Sequence, residues 1–386
     1  MKSQPLIVLA DDLTGAAEIA AIAHASGLRA IVRTSVPDAP LDADVIVCDT
    51  DSRLAPPAQA AARVRSFATK LQSWPHDGFF KKTDSVLRGN VLAEIDACLE
   101  ALAFERALLV PCNPSLGRII LNGNYYISNV ALHKTSFARD PHHPRRTSDV
   151  LKLVSPRGAA RVTLHVPSDR LPASGIIVGE ADSPADVTLW AGRVTTKTLA
   201  AGGADFFRMW LLRTRRTHRK VVPVPLEPGR AVLLSGTSAV NDPITPLPGA
   251  LFTLDPTHLA TPDSLAAQLD EALQQGGFAS VHTGGKIHRT AATPAALTRI
   301  FVRTALELRV RGSFKHLLIA GGATAAAVLK ELGWSELKVL RNWGPGVVTL
   351  QPVACPEVTV TMKPGSYAWP ASLSEHFNST AFTGHV

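Results

Sequence analysis

Residues 6–20 read LIVLADDLTGAAEIA, an apolar run that ends in two carboxylates and then a Thr-Gly pair opening an Ala-rich segment. A short apolar run without alternation is the pattern of a strand buried on both faces of a parallel sheet. Asp11 and Asp12 then fall at the strand's carboxyl end, where open α/β sheets place their ligands. Gly15 is expected to let the backbone turn tightly and to leave the N–H groups of the next helix for an anion or a polar ligand. The same residues also have a plainer use, since Asp12 or Thr14 can simply cap that helix.

The pattern repeats along the chain. A helix is expected over 16–26, closed by Gly27, then strands over 29–34 and 45–48, the latter ending in the polar residues 49–53. A helix over 57–74 carries a proline in its first turn, where a missing N–H costs little. Phe79 and Phe80 begin a fourth strand that runs into KKTDSVLRGN, residues 81–90. Six of those residues suit a small hydroxy acid. Arg88 pairs bidentately with carboxylate, Lys81 and Lys82 supply point charges, and Asp84, Ser85 and Asn90 exchange hydrogen bonds with hydroxyls. A helix over 91–103 and a strand over 108–110 follow. Residues 123–146, rich in turn formers and containing FARDPHHPRR, read as a surface loop, because adjacent histidines lack metal-ligand spacing. Strands over 162–166 and 176–178 and a helix over 204–212 complete this half.

Residues 213–230, first basic and then Pro-rich, read as a linker between domains 1–212 and 231–386. They lack the interleaved aromatics of a nucleic-acid platform. The second half starts a new α/β series, with strands over 231–234, 279–282, 316–320 and 358–362. Its turns are SGTSAVND (235–242), GGAT (321–324) and KPGSY (363–367), and a Gly pair opening a helix can hold phosphate on free N–H groups. Neither GxxxxGK[ST] nor GxGxxG occurs, so a nucleotide must use these dispersed Gly turns.

Bulk properties agree. At 386 residues the chain exceeds one ordinary core, and two domains are expected. With 46% hydrophobic and 19% charged residues, an α/β globular class is expected and a disordered one is not; the mean hydropathy of +0.11 points the same way. The formal charge of +8 favours an anionic partner without naming one. Cys48, Cys98, Cys112 and Cys355 form no CxxC pair, which suggests neither zinc nor a disulfide framework. The opening MKSQPLIVLADD is too short and too polar for a secretory signal, and no run of about 18 apolar residues occurs. A cytoplasmic enzyme with no membrane partner is the expectation, and a homo-oligomer is compatible with it.

Taken together, ADDLTGA (10–16), KTDSVLRGN (82–90), SGTSAVND, GGAT and KPGSY resemble the four-carbon acid sugar kinases, in the family's order and across nearly the whole chain. Members phosphorylate threonate, erythronate or 3-oxo-tetronate with ATP. The resemblance implies two α/β domains, each with a largely parallel sheet flanked by helices, and an active site in the cleft between them. It places Asp11, Asp12, Thr14, Gly15, Lys82, Asp84, Ser85, Arg88, Gly89 and Asn90 around the sugar acid. Ser235, Gly236, Gly321, Gly322, Ala323, Thr324 and Gly365 are placed along the nucleotide. Mg²⁺ is expected to bridge the phosphates, with no protein ligand assigned. Arg88 and Lys82 are expected to clamp the carboxylate. Asp12 is the first candidate and Asp84 the second to orient or deprotonate the accepting hydroxyl. One departure stands out: members usually carry Asp or Glu where this chain has Ala323. A sugar acid sensor without effective ATP use is therefore the alternative, and a dehydrogenase is disfavoured by the missing glycine fingerprint.

Overall fold

The computed structural model describes residues 3–140, 142–156, 158–215, 224–236, 249–254, 261–283, 293–365 and 367–379. Residues 216–223 of the expected linker, 237–242 of SGTSAVND, 284–288 of HTGGKIH (282–288) and Ser366 lie outside them. The chain divides into two compact units, Met1–Val221 and Val222–Val386.

Among the described residues, unit 1 is built on eight parallel strands: β1 (Leu6–Ala10), β2 (Ala30–Arg33), β3 (Val45–Asp49), β4 (Gly78–Lys82), β5 (Arg106–Val110) and, beyond a small second sheet, β9 (Val162–His165), β10 (Gly175–Gly179) and β11 (Thr198–Gly202). Their spatial order is β2-β3-β1-β4-β11-β5-β10-β9. The helices are α1 (Leu13–Ala25), α2 (Pro57–Gln72), α3 (Val91–Leu102), α4 (Val150–Val154), α5 (Pro184–Gly192) and α6 (Ala204–Thr214). α1, α6 and α5 pack together, as do α2 and α3. Each residue of β1 is buried, as its unalternating sequence requires. Phe80 meets Phe206, Phe207 and Trp210 in a ring cluster beneath α6.

Two features of unit 1 depart from the expectations. β11, TLAAG, has little β propensity, yet it is wholly buried between β4 and β5. Part of the expected surface loop, residues 123–146, instead forms β7 (Asn124–Ile127) and β8 (Val130–Ala131), which make an antiparallel sheet with β6 (Arg118–Leu121). The buried Tyr125 anchors that sheet by donating its hydroxyl hydrogen to the carbonyl of Ser85 (2.6 Å).

In unit 2, β12 (Ala231–Ser235), β13 (Ala250–Leu254), β14 (Phe278–Thr283), β15 (His316–Ala320) and β18 (Thr359–Lys363) are parallel, in the order β13-β14-β12-β15-β18. An antiparallel hairpin, β16 (Glu336–Gly344) and β17 (Val347–Pro352), extends this sheet beyond β18. Helices α7 (Pro262–Gly276), α8 (Thr293–Val310), α9 (Gly322–Glu331) and α10 (Ala371–Asn378) complete the unit. Its core gathers Phe278, Leu318, Trp343, Trp369 and Phe377, and Leu226 joins them from the segment before β12.

His316 fixes that segment to the sheet. Its Nε2–H donates to the carbonyl of Glu227 (2.8 Å), and Nδ1 accepts from the hydroxyl of Thr359 (2.7 Å). Burial pulls the imidazole from the usual 6.5 to about 4, against the Glu227 carbonyl and with help from Lys315 and His376. A histidine depressed in the folded state binds its proton better when unfolded. The stability it contributes is therefore full above about pH 6.5 and lost as the pH falls towards about 4, by up to about 3 kcal/mol. Denaturant titrations across that window should show this loss, and His316→Gln should flatten it. An equally steep loss in the variant would remove His316 from that role.

Candidate active site

In unit 1 the chain runs from β1 to β2 and β3 on one side, then crosses to β4 on the other. β1 and β4 therefore flank a topological switch point, where the connections diverge and leave a crevice at the carboxyl ends of the strands. Asp11 and Asp12 leave β1 there, residues 83–90 leave β4, and residues 50–53 leave the neighbouring β3. Unit 2 repeats the order, so Ser235 and Gly236 at the end of β12 and Gly321 and Gly322 after β15 flank an equivalent position.

The centre of the unit 1 site is Arg53. Its Nε and Nη2 donate to Asp11 (2.7 and 3.0 Å), and its Nη1 and Nη2 donate to Asp12 (2.6 and 2.8 Å). Nη1 also lies 3.7 Å from Asp84. Charge-assisted bonds of this kind contribute about 1.5–3 kcal/mol each, whereas withdrawing each ion from water costs several kcal/mol. The net stabilisation of the set is therefore small, and losing one member is expensive. Burial alone would raise Asp11, but Arg53, with Lys81 and Lys82 behind it, holds it below the usual carboxylate range. Among the described residues Asp49, at the end of β3, has no such cation beside it. Burial drives it well above that range, and the neighbouring Asp12, Asp51 and Asp11 push the same way.

Asp12 does cap α1. Its Oδ1 accepts from Gly15 N (2.8 Å) and its Oδ2 from the Thr14 hydroxyl (2.7 Å), so the helix begins at Leu13, three residues before the expected start. Gly15 is needed for space rather than for a turn, because a Cβ there would stand 2.7 Å from Asp12 Oδ1. Capping and Arg53 together occupy both carboxylate oxygens and fix their direction.

The loop after β4 is organised by Asp84. Its Oδ1 accepts from the backbone N–H groups of Val86 and Arg88 and from Arg88 Nε (3.1 Å each), and its Oδ2 from Arg88 Nη2 (2.8 Å). Burial would raise this carboxyl, but Arg88 and then Arg53 hold it well below the usual range. Arg88 turns its Nη1 to Asp140 (3.0 Å) and lies over the Phe137 ring. Gly89, at φ 85°, lets the chain pass Arg53, whose Cγ would stand 3.1 Å from an added Cβ. Asn90 donates to the carbonyls of Ser52 and Ala55 (3.0 and 2.8 Å), which ties this loop to the one after β3.

The two lysines differ. Lys81 is fully buried and pairs with Glu94 (2.7 Å); burial opposes its charge, and Glu94 and Asp11 more than restore it. Lys82 donates to the carbonyl of Thr83 (2.9 Å) and lies 3.4 Å from Glu18. Ser85 accepts from Arg118 Nη1. Asp11, Asp12, Thr14, Gly15, Asp84, Arg88 and Gly89 thus gather around or beside Arg53, whereas Ser85 and Asn90 mainly brace neighbouring loops.

Sequence reading passed over three participants, Arg53, Asp140 and His143. Arg53 had a legible signal, a basic residue in the polar run closing β3. Asp140 and His143 lie in the segment read as surface loop. Asp140 pairs with Arg88 and accepts from the backbone N–H of His143 (2.8 Å), while the His143 ring meets the carbonyl of Arg53 (3.0 Å).

In unit 2, Gly321 has φ 109° and ψ 119° and precedes α9, whose first turn holds Gly322, Ala323 and Thr324 and no acidic residue. Ala323 is exposed, whereas Thr324 and Ser235 are buried. Gly236 backs onto Thr324, whose Oγ1 leaves no room for a Cβ there, and its N–H donates to the carbonyl of Ala320 (3.0 Å). Gly321 N donates to the carbonyl of Lys363 at the end of β18 (3.0 Å), two residues before Gly365. The three expected nucleotide segments therefore come together at the carboxyl ends of β12, β15 and β18.

The chain thus carries a charged crevice in one α/β unit and a glycine-to-helix turn in the other. The comparisons make this specific. Residues 6–183 match a sugar-binding N-terminal domain and residues 248–367 a nucleotide-binding C-terminal domain. A 3-oxo-tetronate kinase of Brucella melitensis is 26% identical over 422 residues, which cover 95% of this chain and 94% of that protein. A D-threonate kinase of Salmonella typhimurium is 34% identical over 152 residues, 39% of this chain and 36% of that one. A solved Haemophilus influenzae protein shares the fold, with a TM-score of 0.74 at 21% identity over 96% of this chain and 98% of that one. The chain belongs to the four-carbon acid sugar kinase family. No helix among the described residues is long and apolar enough to cross a membrane.

Proposed function

We propose that this chain transfers the γ-phosphoryl group of ATP to the terminal C4 hydroxyl of a four-carbon sugar acid of the threonate, erythronate or 3-oxo-tetronate type. The observation that carries this reading is the convergence of Asp11, Asp12 and Asp84 on Arg53 at the switch point of the unit that matches a sugar-binding domain. Phosphoryl transfer asks the protein for alignment and charge stabilisation more than for covalent chemistry. A carboxylate fixed in one direction suits the first task, and Asp12 is assigned to orient the accepting hydroxyl. To do so it exchanges the neutral Thr14 hydroxyl for the substrate's and keeps its Arg53 bonds.

The nucleotide is assigned to unit 2, with backbone N–H groups at the start of α9 facing phosphate. Mg²⁺ enters as the counter-ion of the phosphates, to which this ion commonly binds with water. Among the described residues no group of three His, Cys, Asp or Glu side chains is arranged to hold a metal, so none is assigned to it. The acid-free first turn of α9 favours the second reading, a sugar acid sensor without turnover.

Phosphorus NMR of the reaction mixture tests the assignment. A phosphomonoester resonance split by a CH₂ group is expected; splitting by a single CH proton would move transfer away from C4. Absence of any new resonance, with the acid still bound, would favour the sensor.

A further inference from the structure

Arg53 and Arg88 are both spent on the protein's own carboxylates: Arg53 on Asp11 and Asp12, Arg88 on Asp84 and Asp140. Lys82 faces Glu18 and a carbonyl. An anionic substrate entering this crevice needs a cation that is not already matched. Arg145 is such a group. Its Nε donates to the carbonyl of His143 (2.9 Å) and its Nη1 to the carbonyl of Leu87 (2.8 Å), both neutral acceptors. Among the described residues no carboxylate lies within ion-pair distance of it, and its Nη2 has no acceptor.

The two carbonyls aim the guanidinium. Leu87 belongs to the Asp84–Arg88 loop and holds a left-handed backbone at φ 61°, and His143 contacts Arg53 through its ring. Arg145 is half-buried, so one side of it meets solvent. Burial and Arg88 weigh against its charge, and Asp84 and Asp140 support it only from beyond contact. A guanidinium stays protonated under such conditions and forms its strongest bonds with carboxylate.

We propose that Arg145 receives the carboxylate of the sugar acid and so sets the preference for an acid over a neutral analogue of the same length. This rests on the reading of unit 1 as the acid-binding unit. Arg88, the expected clamp, then organises the loop and presents Leu87 and Asp84.

The test compares wild type, Arg145→Gln and Arg145→Lys with a four-carbon acid and with its amide. Arg145→Gln should raise KM for the acid about 30-fold while kcat and KM for ATP stay within about threefold, since one charge-assisted bond is lost from ground and transition states alike. The acid-to-amide preference should collapse in this variant and partly return in Arg145→Lys. Equal losses for acid and amide, or a fall in kcat alone, would make Arg145 a brace for the loop and overturn the proposal. Thermal stabilisation by acid and amide supplies the same comparison without turnover. Acid-selective stabilisation that depends on Arg145, without ADP release, would sustain this proposal and remove the kinase reading. Turnover indifferent to Arg145 would do the reverse.

Discussion

Arg53→Met is expected to destabilise unit 1 by about 3 kcal/mol at pH 7 and to reduce kcat at least tenfold, because it leaves Asp11 and Asp12 buried or half-buried without their shared cation. The penalty depends on pH, with a definite sign. In the wild type Asp11 and Asp84 are depressed in the folded state, so their stability is present above about pH 4 and lost below it. Without Arg53, burial dominates Asp11 and raises it, and protonation relieves the variant as the pH falls. The gap between variant and wild type should therefore be widest near neutrality and narrow towards about pH 4. Paired urea titrations read this directly, and a gap constant across that range would show that Arg53 acts by packing alone. Arg53→Lys should be intermediate, since an ammonium carries the charge but cannot bridge two carboxylates in fixed geometry.

Asp12→Asn is expected to cut kcat by about 10²–10⁴-fold, the range for losing a positioned acid-base group, with KM for the acid changed little. The substitution suits the question because asparagine caps helices nearly as well as aspartate, so α1 should keep its start and the protein its stability. The Arg53 bonds to this position weaken without leaving a buried charge alone. Unchanged turnover would confine Asp12 to capping, and a matching fall in melting temperature would show that α1 had been disturbed.

Much of this architecture is legible in the sequence because strand, turn and helix alternate with sharp punctuation. The unalternating runs at β1, β3 and β15, with Gly turns after β1 and β15 and a polar run after β3, place the strands and their carboxyl ends. What stays hidden are elements whose identity depends on their neighbours. β11 is a strand because β4 and β5 stand on either side of it, and its TLAAG sequence carries no such message alone. In the β16–β17 hairpin, β16 mixes buried and exposed positions, β17 is almost wholly buried, and register shifts between them blur the period. The site shows the same division. Asp12, Asp84 and Arg88 announce themselves in dense polar clusters, but which carboxylate meets which guanidinium is a matter of tertiary geometry. Arg53 and Asp140 are separated from Asp84 by 31 and 56 positions, and only the sheet brings them together.

The measurement that bears most directly on the central claim is ADP release by the purified chain with MgATP, across D- and L-threonate, D- and L-erythronate and 3-oxo-tetronates. ADP formed only when one of these acids is present, in equal amount to the acid consumed, is the predicted result. ADP release indifferent to every acid, or none with any of them, would contradict it.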